Sequence, residues 1–191
     1  MSNVHSLAAI HPTATIDASA SVAPGVLIGY RATVEAHARI GPHAIIRPEA
    51  TVHERAQVGL EAEIGARAVV GPESEVGTQA RVREDAQLGA GVLVGKRATI
   101  GPGSRIGDGV TVATRAKIWD GVFIGAGATI AARAIIASEA VIGVNARIGR
   151  NALIGEGVRI GADAVVQKRE TVNAHETNAG GTPRRLEPKG A

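Results

Sequence analysis

From Ile10 to Val172 every sixth residue is Ile, Val or Leu, 28 consecutive positions with no exception. Sixteen are Ile, eleven are Val and one is Leu88. The residue two places before each is small: 20 Ala, five Val and two Ser, with Glu170 alone departing at the last repeat. The residue just after is Gly at 15 of the 28 positions. A helix cannot carry this pattern, because a period of 6.0 drifts around a cylinder of 3.6 residues per turn. A strand can, since residues i−2 and i share one face. Each hexad therefore predicts a short strand with one small and one large residue pointing inward, followed by a turn. Glycine after the aliphatic residue suits a corner that needs either φ > 0 or close backbone approach.

Three such edges close a triangle of 18 residues, and successive coils stack as parallel strands about 4.8 Å apart. The 28 hexads make a little over nine coils, a prism roughly 45 Å long. The expected organisation is an N-terminal flank at 1–9, an all-β, single-stranded parallel β-helix of about nine triangular coils at 10–172, and a tail at 173–191. The two ends expose unpaired strand edges, and the flanks are the candidate caps.

Composition sharpens this picture. Tyr30, Trp119 and Phe123 are the only aromatic residues, as a bore too narrow for rings demands. Aromatic platforms for RNA or single-stranded DNA are excluded with them, and the mild net charge of +3 gives no separate reason to expect a nucleic-acid partner. With 25 Gly and 8 Pro no long helix is available. Cysteine is absent, so there is no disulfide frame and no thiol nucleophile. The opening MSNVHSLAAIHPTA lacks the basic start and apolar run of a signal peptide. No apolar stretch nears the ~18 residues that a membrane span requires. A soluble, cytoplasmic protein with no membrane insertion is expected.

In a three-sided coil, residues 18 apart lie above one another, so chemistry is to be sought in columns. One column reads Arg31, Glu49, Arg67, Asp85, a ladder of alternating charge. A second contains Arg97, Arg115 and Arg133, three cations in sequence that repel one another unless an anion lies across them, or that splay apart into solvent. A third reads Asp17, Glu35, His53 and then an unbroken run of glycines from Gly71 to Gly161. Glu35 below His53 would orient the imidazole and raise its basicity, as a general base requires; the alternative is a turn histidine stacked on a carboxylate. Trp119 stands at a corner that is usually Gly, either as a wall for a ligand ring or in a subunit contact.

The hexad pattern resembles the hexapeptide-repeat acyltransferase superfamily, over residues 10–172. The resemblance implies a left-handed parallel β-helix, a homotrimer, and acyl transfer from acetyl-CoA to a small-molecule acceptor of the sugar or nucleotide-sugar type. The segment IHPTATIDASASVAPGVLIG is similar to the opening coils of the lipid A type acyltransferases. AKIWDGVFIGAGATI and GEGVRIGADAVVQK look like the last coils of serine and sugar acetyltransferases. GGTPRRL resembles the tail that closes many acetyl-CoA-dependent members, so Gly181, Pro183, Arg184 and Arg185 would flank the coenzyme, although Arg184 replaces the usual Ala. On this reading His53 and Glu35 are catalytic, and Arg97, Arg115, Arg133 and Trp119 join the tail in holding the coenzyme.

Three departures stand beside it. The hexad phase never slips, so no loop leaves the prism. No His-Asp pair of the lipid A type is present, and Arg115 stands where serine acetyltransferases carry a histidine. A non-catalytic scaffold, natural or idealised, is the rival expectation. Gamma-class carbonic anhydrases share the fold and bind zinc through three histidines, two of them five residues apart, and no histidine pair here has that spacing. No metal site is expected.

Overall fold

The computed structural model describes residues 3–173. It is an all-β parallel solenoid in which every strand is two residues long and ends on the aliphatic residue of its hexad. The strands stack into three parallel sheets of ten, ten and nine. Pairing is 18 residues apart throughout, as in Ile64 with Val82 and Val82 with Ile100. Eighteen residues therefore make one turn, and about nine turns make the molecule, the left-handed β-helix class of architecture. The first sheet is the one containing Gln57–Val58, the second contains Thr99–Ile100 and the third contains Thr51–Val52.

The bore is built by the two inward columns. The Ala at i−2 and the Ile or Val at i are buried from Ala20 to Ile154, nearly all below 4% exposure. Small and large residues alternate around each turn, so the layers fill a narrow triangle in which every inward methyl meets the coil above and below. The solenoid begins one rung earlier than the hexad count from Ile10 gave. Asn3–Val4, inside the expected flank, pairs with Ser21–Val22. Val4 lies in phase with the repeat and, on an edge strand paired only with Ser21–Val22, is only partly buried.

The corners separate two demands that the sequence pattern left joined. Left-handed backbone occurs three residues after the aliphatic position: from Gly25 to Arg169 every sixth residue has φ between 50° and 71°. Eighteen of these carry a side chain and seven are Gly. The glycines directly after the aliphatic residue serve close approach instead. A Cβ built at Gly59 would lie 2.8 Å from the Thr78 nitrogen, and one at Gly95 2.6 Å from the Thr114 nitrogen. The packing of one coil on the next excludes the side chain there, while the turn itself tolerates L-residues.

Among the described residues only two buried positions are polar, Ser74 and Ser104, and both replace the inward Ala. Each lies 18 residues before an inward Val. In the ordinary turn the inward N–H donates across its own corner, as Ala62 does to Gly59 at 3.2 Å. At Val92 and Val122 the serine hydroxyl of the coil below takes that N–H, at 3.0 and 3.2 Å. The same hydroxyls donate to the carbonyls of Gly89 and Trp119, both at 2.8 Å. Each serine thus spans a widened corner of the next coil and leaves no buried polar side-chain atom unpaired among the described residues.

Candidate functional site

The three corners carry different chemistry. The corner between the third and first sheets holds Asp17, Glu35 and His53 one above the other. Asp17 turns back on its own loop, accepting from the Ser19 N–H at 2.8 Å and the Ser19 hydroxyl at 2.6 Å, which holds its carboxyl below the ordinary range. Glu35 and His53 meet: the His53 Nδ1 lies 2.9 Å from a Glu35 carboxylate oxygen, across one coil height, with both side chains about a third exposed. With the Nδ1 proton shared with that carboxylate, the lone pair of a neutral ring is on Nε2. Above His53 the column turns to Gly71 and Gly89, whose backbones approach so closely that no side chain fits at Gly71. The arrangement is a carboxylate-oriented imidazole at the foot of a column of glycines. On its outer side Arg55 lies 3.3 Å from Glu73 and 3.5 Å from Glu54.

The corner between the first and second sheets carries Arg97, Arg115 and Arg133, each at the left-handed position. Arg97 donates through Nε to Gln79 at 2.7 Å, and Gln79 donates to Glu61 at 2.7 Å, so this arginine is tied to the coil below. Arg115 and Arg133 have no side-chain partner among the described residues, and Arg115 is exposed. The corner between the second and third sheets carries Trp119, 52% exposed. Within one chain, then, His53, the arginine column and Trp119 stand on three different corners, and His53 lies more than three coils below Arg115 and Trp119. One chain does not bring them onto one small ligand. Gly181, Pro183, Arg184 and Arg185 lie outside the described residues.

Sequence reasoning missed what surrounds Trp119. A surface groove of about 440 Å³ runs from that corner onto the second sheet, lined by Arg81, Arg83, Thr99, Gly101 and Lys117 beside the indole. The signal was present at 18-residue spacing. Arg83, Gly101 and Trp119 form one column, and Arg81, Thr99 and Lys117 form the next, paired in register. Among the described residues no group of three His, Asp or Glu could hold a metal ion. Among the described residues no helix is long and apolar enough to cross a membrane.

A prism of this kind is a hexapeptide-repeat protein, and comparison with known proteins agrees. The profile of the GMPPB C-terminal domain family matches residues 82–178, a little over half of the chain, and the chain belongs to that family. No curated protein sequence matches it. Among solved structures, the fold is shared with the UDP-N-acetylglucosamine acyltransferase of Francisella novicida, at 20% identity and a TM-score of 0.51 over 87% of this chain and 67% of that one. The UDP-N-acetylglucosamine acyltransferase from Campylobacter jejuni aligns at 21% identity and a TM-score of 0.55, over 85% and 66% of the two chains. A further UDP-N-acetylglucosamine acyltransferase gives a TM-score of 0.58 at 15% identity, over 87% of this chain and 71% of that one. The chain spans about two thirds of the length of these enzymes.

Proposed function

We propose that the protein is an acyltransferase that moves an acyl group from a coenzyme A thioester, acetyl-CoA in the simplest case, to a hydroxyl or amine of a sugar-type acceptor. The observation that supports this most is the Glu35–His53 contact at the foot of a column of glycines. The UDP-N-acetylglucosamine acyltransferases that share the fold are consistent with a sugar-type acceptor. His53 Nε2 takes the proton of the acceptor as its oxygen or nitrogen attacks the thioester carbonyl. The tetrahedral intermediate then collapses, the C–S bond breaks, and the proton passes to the leaving thiolate. Glu35 holds the ring in the productive tautomer and stabilises the imidazolium that forms.

Arg97, Arg115 and Arg133 are the proposed partners of the coenzyme phosphates, with Trp119, Gly181, Pro183, Arg184 and Arg185 along the rest of it. Because these groups occupy different corners, the reading includes self-association: in a homotrimer, a corner of one copy stands beside His53 of the next. The test is turnover of acetyl-CoA with a panel of amino sugars and nucleotide-linked sugars. His53→Ala should lower kcat by about 10²–10⁴-fold, and a variant with full activity removes the base assignment. A bare scaffold is the second reading, favoured by the unbroken hexad phase, which leaves no loop to wall a pocket. Calorimetry with CoA separates the two, since a scaffold evolves no binding heat at about 1 mM ligand.

A further inference from the structure

We infer that the upper end of the corner between the first and second sheets, at Arg147, Arg150, Lys168 and Arg169, is a docking surface for an anionic lipid bilayer, which the solenoid meets from outside without inserting. These four residues are none of those assigned to acyl transfer, and the inference stands whether or not an acyl group is moved.

Charge is sorted by corner in the last coils. Between 131 and 172 the chain carries six cations and four acids. Arg133, Arg150, Lys168 and Arg169 stand at this one corner, and Arg147 lies beside it on the first sheet, paired with Thr129 and Val165. Only Arg159, on the third sheet, is elsewhere. The acids stand apart from them. Glu139 and Glu156 are at the corner between the second and third sheets, and Asp163 is at the corner between the third and first. Glu170 turns into its own loop, where its carboxylate accepts the Gln167 N–H. Coil stacking gathers the cations: the Arg169 N–H donates to the Arg150 carbonyl at 3.0 Å, so one coil's corner sits directly on the other's. All four side chains are exposed, and among the described residues none forms an ion pair. The lower end of the same corner is built otherwise. Pro24, Pro42, Leu60 and Thr78 occupy the column of Arg150 and Lys168, and Arg97 is tied through Gln79 to Glu61. Like charges about 5 Å apart repel one another in the free protein, and an opposed surface of negative charge relieves that repulsion.

Shape selects the partner. The cations lie on a convex corner, and the groove on the neighbouring first sheet takes in only Arg147 and sets Asp163 beside it. A small anion reaches one or two of the four charges, whereas an extended anionic plane reaches them together. Aliphatic side chains flank the charges on both sides. Val165 on the first sheet is 50% exposed, and Leu153 and Ile135 on the second are 39% and 36% exposed. Against the phosphates of a nucleic acid these side chains gain nothing, and none of Tyr30, Trp119 and Phe123 stands on this corner to stack on a base. At a bilayer they settle at headgroup level while the cations engage the lipid phosphates and carboxylates. The acids, on the other two corners, then face away from the membrane.

The test is co-sedimentation of the full chain with vesicles of phosphatidylcholine, with and without about 30 mol% phosphatidylserine. Binding is expected to the anionic vesicles alone, and should fall at least about tenfold between about 0.1 and 0.5 M salt. The triple variant Arg150→Gln, Lys168→Gln, Arg169→Gln should bind about 10²-fold more weakly, at about fivefold for each cation removed. Glutamine fits the left-handed position, as Gln79 does at a φ of 57°, and an unchanged urea midpoint checks that the fold is kept. A second triple variant, Arg39→Gln, Arg81→Gln, Arg105→Gln, removes the same charge from the three sheet faces and should bind within about twofold of the parent chain. Leu153→Asn should weaken binding about threefold at either salt concentration. No binding to the anionic vesicles, equal losses in the two triple variants, or tighter retention of duplex DNA than of vesicles at equal phosphate overturns the inference. Docking is read without acetyl-CoA, so a chain that docks and moves no acyl group separates this surface from the proposed reaction.

Discussion

The corner between the second and third sheets has two halves that share one backbone and differ in everything else. In the lower coils its side chains are occupied with one another. Arg31 lies 4.9 Å over the Tyr30 ring, Arg47 holds Glu63, and Arg67 grips Asp85 through two parallel bonds of 2.7 Å. The expected ladder of Arg31, Glu49, Arg67 and Asp85 is thus one bidentate pair with an arginine that has turned to an aromatic face instead. In the upper coils the left-handed positions become Gly103 and Gly121, an indole rises, and among the described residues Arg81 and Lys117 on the neighbouring face form no ion pair. The bore beneath is indifferent: Ile64 and Ile100 are equally buried. A repeat fold separates the residues that hold it together from those that distinguish one stretch from another. A coil can be satisfied internally, as the lower half is, or left without such partners, as the upper half is, with no change of fold.

The strongest way to break this comparison is to give the upper half a side chain where its packing forbids one. Gly101→Val drives a branched Cβ into the Trp119 carbonyl. The coils must part, at about 3 kcal/mol. Gly103→Asn is the counterpart. It has the left-handed φ of 61° that eighteen other side chains already adopt, and open space beyond it. Its expected loss is about 1 kcal/mol. Urea midpoints of the two variants check the order. Equal losses would mean that the corner glycines serve turn conformation rather than coil contact.

What was legible in the sequence alone follows the same division. The bore was readable because each inward residue faces a single demand, volume, and repeats it every six residues; Ala98 and Ile100 could be placed from their phase. The meeting of Glu35 and His53 was readable for a related reason, since 18-residue spacing fixes which residues stack. The groove was not. It depends on residues from two adjoining columns at once, Arg83 with Trp119 and Arg81 with Lys117, and columns taken singly show only a corner tryptophan and surface cations. The reading of Arg97, Arg115 and Arg133 as one stripe also missed the Gln79 side chain that ties Arg97 down. A side chain's choice of partner depends on reach and orientation, which spacing does not specify.

A second test sharpens the comparison at the level of one hydroxyl. Ser104→Ala leaves the Trp119 carbonyl and the Val122 N–H without their shared partner inside the packed corner. An expected cost of about 2 kcal/mol follows. Ser74→Ala removes the equivalent brace from Gly89 and Val92 on a different corner, and should cost the same. The indole separates the two. Only the Ser104 variant should alter Trp119 emission, because only there does the brace hold the corner from which the ring projects. If both variants leave emission untouched, the brace is structural alone and Trp119 positions itself by other means.

The smallest expected effect belongs to the lower half, and its sign can be worked out. The Arg67 guanidinium beside Asp85 holds that carboxyl below its ordinary value of 3.8, and the arginine is raised in return. A carboxyl lowered on folding contributes stability that is fully present above its unfolded pKa and is lost as pH falls through the folded one. The window therefore lies at and below 3.8, and neutral titration leaves the pair intact. Both side chains are about half exposed, so solvent and salt screen the interaction and the contribution is slight. Asp85→Asn should flatten the acid limb of a stability-against-pH curve relative to the parent chain and leave the neutral region almost unchanged. High salt should shrink even that difference. A variant that loses as much stability at pH 7 as Gly101→Val would show that the lower corner is held by its charges and not by the bore, and the contrast between the two halves would have to be redrawn.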